Sequence, residues 1–371
     1  MADNVKKVRV LVINPGSTST KISVIELDTT TTDEKKWINT IFSKNIKHGS
    51  DTIKSFARIA DQYVFRKQVI LDELAANSID VKTMDYVIGR GGLVKSIPSG
   101  IYKVNDAMVH DLTIGYAGEH ACNLGGLIAR DLAESIGLDA AYIADPGVVD
   151  EMAPIAKVSG HPAFVRNPIF HALNQKMVAR IYAKRNNKKY EDMNLIVVHM
   201  GGGISIGVHQ KGIVVDVNQA LNGDGPFSPE RSGSLPVISV INACFSGEYT
   251  KDQLKQMVTG KGGFVAYLGT NDALEVENRI KAGDKEADFY DSAMAYQICK
   301  EIGAASTVLK GKVDAILLTG GMAYGKPFVA KITERVQHIA PIEVFPGENE
   351  NEALAYNVLL MIKGEIPCKE Y

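Results

Sequence analysis

The chain has 371 residues, 45% of them hydrophobic and 23% charged, with a net charge of −2. That length holds two domains with cores of their own, the balance is that of a soluble globular protein, and the near-neutral charge gives no bulk electrostatic case for nucleic acid or an anionic membrane. Four scattered cysteines (Cys122, Cys244, Cys299, Cys368) lack paired metal-ligand spacing and a disulfide pattern, so a reducing cytoplasm is the expected location. No membrane association is expected either: no apolar run approaches a membrane span, and Met1–Lys7 enters the first strand without a signal-like apolar core.

Val10–Ile13 is a continuous apolar run rich in β-branched residues and reads as a buried strand. Pro15 and Gly16 end it, Asn14–Ser19 forms a polar turn, and Lys21–Glu26 alternates toward a second strand. A turn of Gly, Ser and Thr offers backbone N–H groups and hydroxyls to an anion; a plain structural turn is the alternative. Thr29–Glu34 reads as a loop and Ile41–Ile46 as a third strand. Helical spacing of Ile53, Phe56, Ile59, Ala60 and Val64 predicts a helix within 51–76. Met84–Ile88 runs into a second glycine turn with Arg90 at its tip, placed for an anion or merely solvated.

Residues 106–137 read as helical, with Leu124, Leu127, Ile128 and Leu132 on one face and His120 and Asn123 early in the segment. Ala140–Asp145 is a short strand ending in a carboxylate. That is the usual place for an active-site acid in an α/β protein, although a turn cap is the simpler reading of Asp145. The first domain ends near here. Pro168 suits the first residue of a helix, which continues through Phe170, Leu173, Met177, Val178 and Ile181 and puts His171 in its first turn. A histidine there is more often a capping or surface residue than a catalytic one.

The second half repeats the pattern of the first. Leu195–Met200, the turn Gly201–Gly203 and Ile204–His209 again read strand, turn, strand, and Gly212–Asn218 adds a third strand. Residues 219–236 form a Gly/Pro-rich loop, longer than a connector needs, that carries Arg231. Helices are predicted near 237–241, 254–258, 284–309 and 326–340. Another strand runs into a glycine turn at Ala315–Ala323, a short strand follows at Ile342–Phe345, and a last helix begins near Asn351. Two strand–turn–strand units, one per half, point to an internal duplication.

Two phosphate hairpins and a later Gly-Gly turn follow the logic of the sugar kinase, actin and acetate kinase superfamily. Three stretches, Asn14-Pro-Gly-Ser-Thr-Ser-Thr-Lys21, His199-Met-Gly-Gly-Gly-Ile-Ser205 and Gly223-Asp-Gly-Pro-Phe-Ser-Pro-Glu-Arg-Ser-Gly-Ser-Leu-Pro236, resemble more specifically the butyrate kinase (branched-chain fatty acid kinase) branch of the acetate kinase family. The resemblance covers nearly the whole chain. It implies an α/β fold of two duplicated actin-like (ribonuclease H-like) domains with a nucleotide cleft between them. The N-terminal domain takes residues 1–148 plus 353–371, with the terminal helix packing back, and the C-terminal nucleotide-binding domain takes 149–352. It also implies ATP and Mg²⁺ as cofactors, reversible in-line phosphorylation of a short-chain fatty acid carboxylate, and a homodimer or larger homo-oligomer.

The same resemblance assigns roles. Arg90 and Arg231 match two active-site arginines, and the planar guanidinium suits an oxyanion better than a lysine does. His171 matches a transition-state donor to the phosphoryl oxygens, His199 a phosphate-contacting histidine, and Asp145 an acid near the metal. Asn14 is a metal- or phosphate-side ligand, Ser17, Ser19 and Lys21 belong to the first phosphate turn, and Gly201, Gly202 and Gly203 to the second. His120 matches a further family histidine. For Mg²⁺ the family's glutamate falls on Glu352, with Glu350 as the alternative. Gly320, Gly321, Met322 and Ala323 resemble the adenosine loop and Asp272 the ribose-contacting acid; Leu274 stands where the family has an arginine, which leaves the nucleotide base open.

A fatty acid is ionised at neutral pH and needs no general base as acceptor, so catalysis must come from cations, dipoles and positioning. The cationic constellation fits that demand and not a sugar hydroxyl. Acetate or propionate as substrate is the alternative, and a non-catalytic, nucleotide-gated actin-like protein the remote one. Acetate kinases commonly follow the first arginine with two valines, whereas here Gly91 and Gly92 follow Arg90. Their missing side chains are expected to open room for a longer acyl chain, with Phe170 and Pro226 (or Phe227) as other walls. Each buried methylene is worth about 0.8 kcal/mol. The alternative is that both glycines serve only the backbone.

Overall fold

The computed structural model describes residues 7–31, 33 and 36–371. The stretch before Lys7 and part of the 29–34 tract, both read above, lie outside the described residues. The chain divides into two units: residues through Val149 together with Asn349–Tyr371, and Asp150–Glu348.

In the first unit β1 (Lys7–Pro15) is buried without interruption from Val10 onward. It pairs antiparallel with β2 (Ser19–Asp28), which pairs antiparallel with β3 (Ile38–Lys47). Two helices follow, α1 (Ser50–Lys54) and α2 (Tyr63–Ala76), where one helix was expected. Between them the Asp61 carboxylate accepts from the Arg58 backbone N–H, a local bond that competes with the helix ladder. β4 (Tyr86–Arg90) lies parallel to β1. Then come β5 (Ile101–Lys103), α3 (Asp106–Ile114), α4 (Asn123–Ser135) and β6 (Tyr142–Ala144), the last parallel to β4. The expected 106–137 helix is also split, because Gly115 at φ 69° closes α3 in the left-handed conformation.

In the second unit α5 (Ala172–Arg185) starts four residues after Pro168, so His171 is its N-cap and lies outside its first turn. β7 (Asn194–Met200), β8 (Ile204–Gln210) and β9 (Ile213–Val217) form an antiparallel meander. α6 (Val237–Phe245), α7 (Lys251–Val258), α8 (Gly263–Leu268), α9 (Ala273–Lys281) and α10 (Lys285–Val308) follow. β10 (Ala315–Gly320) pairs parallel with β7, and after α11 (Lys326–Val336) β11 (Ile342–Pro346) pairs parallel with β10. β7 and β10 are buried almost throughout, as central parallel strands require. Ile298 and Ile302 of α10 sit wholly inside the core of this unit. The chain then returns to the first unit through α12 (Glu350–Ile362) and β12 (Cys368–Lys369).

The sheets run β12-β5-β6-β4-β1-β2-β3 and β11-β10-β7-β8-β9. Within them β3-β2-β1-β4-β6 and β9-β8-β7-β10-β11 share the same order and the same strand directions. The duplication expected from the two hairpins is therefore one of whole sheets. α12 packs on β1, β2 and β4 and buries Ala353–Leu360. The unit boundary precedes Asn349, a few residues before the 352/353 division read from the sequence, so Glu350 and Glu352 belong to the first unit. No helix among the described residues is long and apolar enough to cross a membrane.

One close approach positions the end of β4. A Cβ on Gly89 would lie 2.1 Å from the Gly125 carbonyl oxygen, and one on Gly125 would lie 2.4 Å from that of Arg90. Only two glycines let the start of α4 reach the strand this closely, and Arg90 is left at the strand's end.

Candidate active site

The first turn is held from behind. Arg66 of α2 is almost wholly buried. It donates from Nη1 to the carbonyls of Gly16 (2.7 Å) and Ser19 (3.1 Å) and from Nη2 to that of Ser17 (3.1 Å). The His48 backbone N–H takes the Thr18 carbonyl at 2.9 Å. Four consecutive carbonyls thus have donors on the protein side, and the tip, with Ser17 and Thr18, is exposed. Lys21, also exposed, stands on β2. Among the described residues no carboxylate lies within ion-pair distance of Arg66, whose N–H groups are met by neutral oxygens, the carbonyls and Gln62 Oε1 at 2.8 Å. Burial pulls its pKa down to about 10. A buried cation without a counter-ion is costly, and an anion at the turn relieves it.

Arg90 lies in a polar cluster built from segments far apart in the chain. Its Nη1 and Nη2 meet Glu350 Oε2 (3.0 Å) and Oε1 (2.9 Å), a two-pronged pair. Asn14 Nδ2 donates to Glu350 Oε2 at 2.8 Å and to Asn351 Oδ1 at 3.2 Å, while Asn351 Nδ2 donates to Ser23. Glu350, and not the favoured Glu352, is therefore the carboxylate joined to Asn14. Burial raises the Glu352 pKa, with Lys21 opposing. His120 belongs to the same surroundings: burial lowers its pKa and the charge of Arg90 lowers it further. The Cys122 backbone N–H donates to His120 Nδ1 at 3.2 Å.

Asp145 follows β6 with φ 40° and is buried. Its Oδ1 accepts from Ser99 Oγ and the Gly100 N–H, each at 2.8 Å, so this carboxylate ties the strand end to the neighbouring loop. The expectation that Gly91 and Gly92 open space is not met. A Cβ on Gly92 would lie 2.6 Å from Leu112 Cδ2 and 2.7 Å from Asn123 Cα, and one on Gly91 2.5 Å from Pro146 Cβ. The protein's own atoms fill both places, as the backbone reading required.

In the second unit His171 and His199 stack, with centroids 3.8 Å apart and planes within 9°. Asn174 Nδ2 donates to the Glu348 carbonyl (3.2 Å), which leaves Asn174 Oδ1 to accept from His199 Nδ1 (2.8 Å). His199 Nε2 is buried, 3.4 Å from Glu348 Oε1, close enough for an ion pair but without hydrogen-bond alignment. Beside the second turn Arg231 Nη1 donates to the Ala220 carbonyl at 2.7 Å, and its buried Nε–H has no partner among the described residues. Burial lowers its pKa and Glu230 opposes. A Cβ on Gly203 would lie 1.7 Å from Nη1, so Arg231 occupies space that only glycine leaves. Gly201 N–H closes the turn on the Gly203 carbonyl at 3.0 Å, and Ser228 Oγ holds the Gly202 carbonyl at 2.6 Å. Phe170 and Pro226 are buried, and Phe227 packs edge-on to Phe264 in the core and to the exposed Tyr267.

Gly320 ends β10, and Gly321, Met322 and Ala323 form a short helical turn after it. Beside Ala323 and Tyr324 opens a cavity of about 700 Å³, lined further by Lys326, Val329, Thr333 and Val344. Asp272 caps α9, accepting from the Leu274 and Glu275 N–H groups. That role is visible in the Asp272-Ala-Leu-Glu275 pattern.

Sequence reasoning missed Arg66, Glu230 and Glu348. An arginine within a helix reads as solvated. The two glutamates lie close to the Cβ positions of Gly202 and Gly201, and nothing in their local sequence announces that proximity.

The sequence profile of the Acetokinase family matches residues 154–353. Butyrate kinase 2 of Clostridium acetobutylicum is 50% identical over 365 residues, covering 98% of this chain and 99% of that protein. Among solved structures, an acetate kinase of Porphyromonas gingivalis superposes with a TM-score of 0.72 at 17% identity, over 96% of this chain and all of that one. A propionate kinase of Francisella tularensis gives 0.72 at 18% identity, over 94% and 98%. These two likenesses establish the fold.

The first turn generates a pH prediction. Thr20 Oγ1 accepts from Arg66 Nη1 (3.2 Å), so its own proton points to His48 Nε2 at 2.8 Å. His48 must be neutral to accept it, and burial, then Arg66, lower its pKa from 6.5 to about 4. The unfolded chain binds that proton first as pH falls. Stability from this group is therefore intact above pH 6.5 and is lost progressively toward pH 4. Urea titrations across that range, on the wild type and His48→Asn, should give a flatter acid limb in the variant; superimposable limbs would refute the assignment.

Proposed function

Because the chain belongs to the acetokinase family, we propose that it transfers the γ-phosphoryl group of ATP to the carboxylate of a short-chain fatty acid, butyrate or isobutyrate, forming the acyl phosphate reversibly. The observation that carries this reading is the end-to-end 50% identity to a butyrate kinase.

The donors support an anion-on-anion reaction. A carboxylate nucleophile approaching a polyphosphate meets electrostatic repulsion, and the main help a protein gives is fixed positive charge and N–H dipoles. The first turn binds phosphate oxygens with its N–H groups, backed by Arg66. Arg90 exchanges its two-pronged pair with Glu350 for one with the acyl carboxylate or the phosphoryl group. His171, His199 and the unpartnered Nε–H of Arg231 serve the transferring phosphoryl group. Gly201–Gly203 lie against phosphate oxygens, and the cavity beside Ala323 takes the nucleotide base. Asp145 orders the first unit's site through Ser99 and Gly100.

The donor set suits Mg²⁺. Asn14 and Glu350 offer oxygens within one cluster. Mg²⁺ keeps most of its waters and takes one or two carboxylates. Glu350 and Asn14 would hold it, and it would supply charge neutralisation on the phosphate oxygens.

Homo-oligomerisation and a cytoplasmic location belong to the same proposal. α6 buries none of its residues and exposes Val237, Ile238, Ile241 and Phe245, an apolar face suited to a second copy. Sedimentation of the wild type and of Phe245→Asp checks it: a dimer or larger assembly that the substitution dissociates is expected, and a wild-type monomer would remove the idea. The four thiols are all free, in keeping with a reducing compartment.

Trapping the product as hydroxamate, with Mg²⁺-ATP and acetate, propionate, butyrate or isobutyrate, gives the direct test. Four-carbon acids should exceed acetate in kcat/KM by on the order of tenfold, two methylenes at about 0.8 kcal/mol each. Arg90→Ala and Arg231→Ala should lower kcat by about 10²-fold or more while leaving ATP affinity within a few-fold. A preference for acetate would favour the alternative reading. Normal turnover in both variants would remove the arginines from it.

A further inference from the structure

His171 is held by a chain of buried side chains that no role above uses. Its Nδ1 lies 2.9 Å from Ser205 Oγ. Gln175, one turn along α5, places Nε2 3.1 Å from the Ser205 backbone carbonyl and 2.9 Å from Ser205 Oγ. A carbonyl only accepts, so the amide orientation is fixed, and Gln175 Oε1 is left to accept from His209 Nε2 at 3.0 Å. With its proton on Nε2, His209 accepts at Nδ1 from Tyr190 Oη at 2.7 Å. The whole run from Ser205 to Tyr190 is buried.

Gly207 of β8 gives a second observation. Glycine weakens a strand interior, yet a Cβ here would lie 2.2 Å from Gln175 Oε1 and 3.1 Å from His209 Nε2. The strand thus leaves open the place where these two groups meet. Lys176 and Arg180 lie over the Tyr190 ring at 5.6 and 5.9 Å. Their charges, after burial, push the His209 pKa well below its usual value, consistent with a neutral ring that accepts from Tyr190.

The donors then run in one direction. Ser205 Oγ accepts from Gln175, and its single proton is directed to His171 Nδ1. We infer that Ser205, backed by Gln175, His209 and Tyr190, is a positioning residue that holds His171 with its proton on Nε2 and makes that nitrogen the donor. Proton placement on a histidine is set by the hydrogen bond at its other nitrogen, and misplacement disables the ring even where its position is unchanged. The catalytic consequence rests on the transition-state role given to His171 above; the proton placement does not.

The test is a long-range ¹H–¹⁵N correlation spectrum of the full chain labelled with ¹⁵N-histidine, with His171 and His209 assigned by their absence from His171→Gln and His209→Gln spectra. The wild type should show both rings protonated on Nε2 and bare on Nδ1. Ser205→Ala should lose that preference at His171 and lower kcat by roughly tenfold to a hundredfold, with KM for ATP and butyrate unchanged. A wild-type His171 protonated on Nδ1 overturns the inference, and this readout survives even if Ser205→Ala fails to fold. The expected tautomer together with full activity of His171→Gln upholds the relay and removes the role assigned to His171.

Discussion

Arg66 is the constraint on which the first half-site depends. It is a buried cation whose neighbours are carbonyl oxygens rather than a carboxylate. Hydrogen bonding satisfies its N–H groups, but the net charge remains uncompensated in a poorly polarisable surrounding. The same contacts turn the carbonyls of Gly16, Ser17 and Ser19 toward the guanidinium. Together they make the opposite face of the turn receptive to an anion. A carboxylate partner in place of the carbonyls would stabilise Arg66 and cancel that field.

The second unit reaches a similar end by other means. Its turn has three glycines and, among the described residues, no buried cation behind it. Positive charge comes from Arg231, threaded past Gly203, and donor capacity from His171, stacked on His199; the Nδ1 atoms of the two rings face different partners, Ser205 and Asn174. The duplicated sheet therefore carries two unlike chemical sets on one topology. Fold alone does not dictate function; the side chains grafted onto the two turns do. In the first unit Glu350 restrains Arg90 with both carboxylate oxygens and holds its guanidinium fork in one orientation.

Much of this was legible in the sequence because it is local. Alternation and glycine punctuation set the hairpins of β1–β2 and β7–β8, and the length of the apolar pattern set α10. What was not legible is non-local. The choice between Glu350 and Glu352 depends on which face of the first turn of α12 meets Asn14, more than three hundred residues away in sequence. Gly91 and Gly92 looked like the trace of a widened pocket, yet Leu112, Asn123 and Pro146 arrive from distant segments to fill that space. Local hydrogen bonds at Asp61 and a left-handed Gly115 broke helices that apolar periodicity ran together. Arg66 was hidden because a charged residue in a helix carries no sequence sign of which side it faces.

The central claim is that a carboxylate oxygen is itself the nucleophile toward phosphorus. Transfer of ¹⁸O tests this most directly. Butyrate labelled in both carboxylate oxygens is converted with Mg²⁺-ATP, and the product is then cleaved by hydroxylamine, which attacks the carbonyl carbon and expels phosphate with the bridging oxygen. Direct transfer predicts that each phosphate released carries one ¹⁸O from the acid. Phosphate without label, with hydroxamate formed at the same rate, would contradict the account.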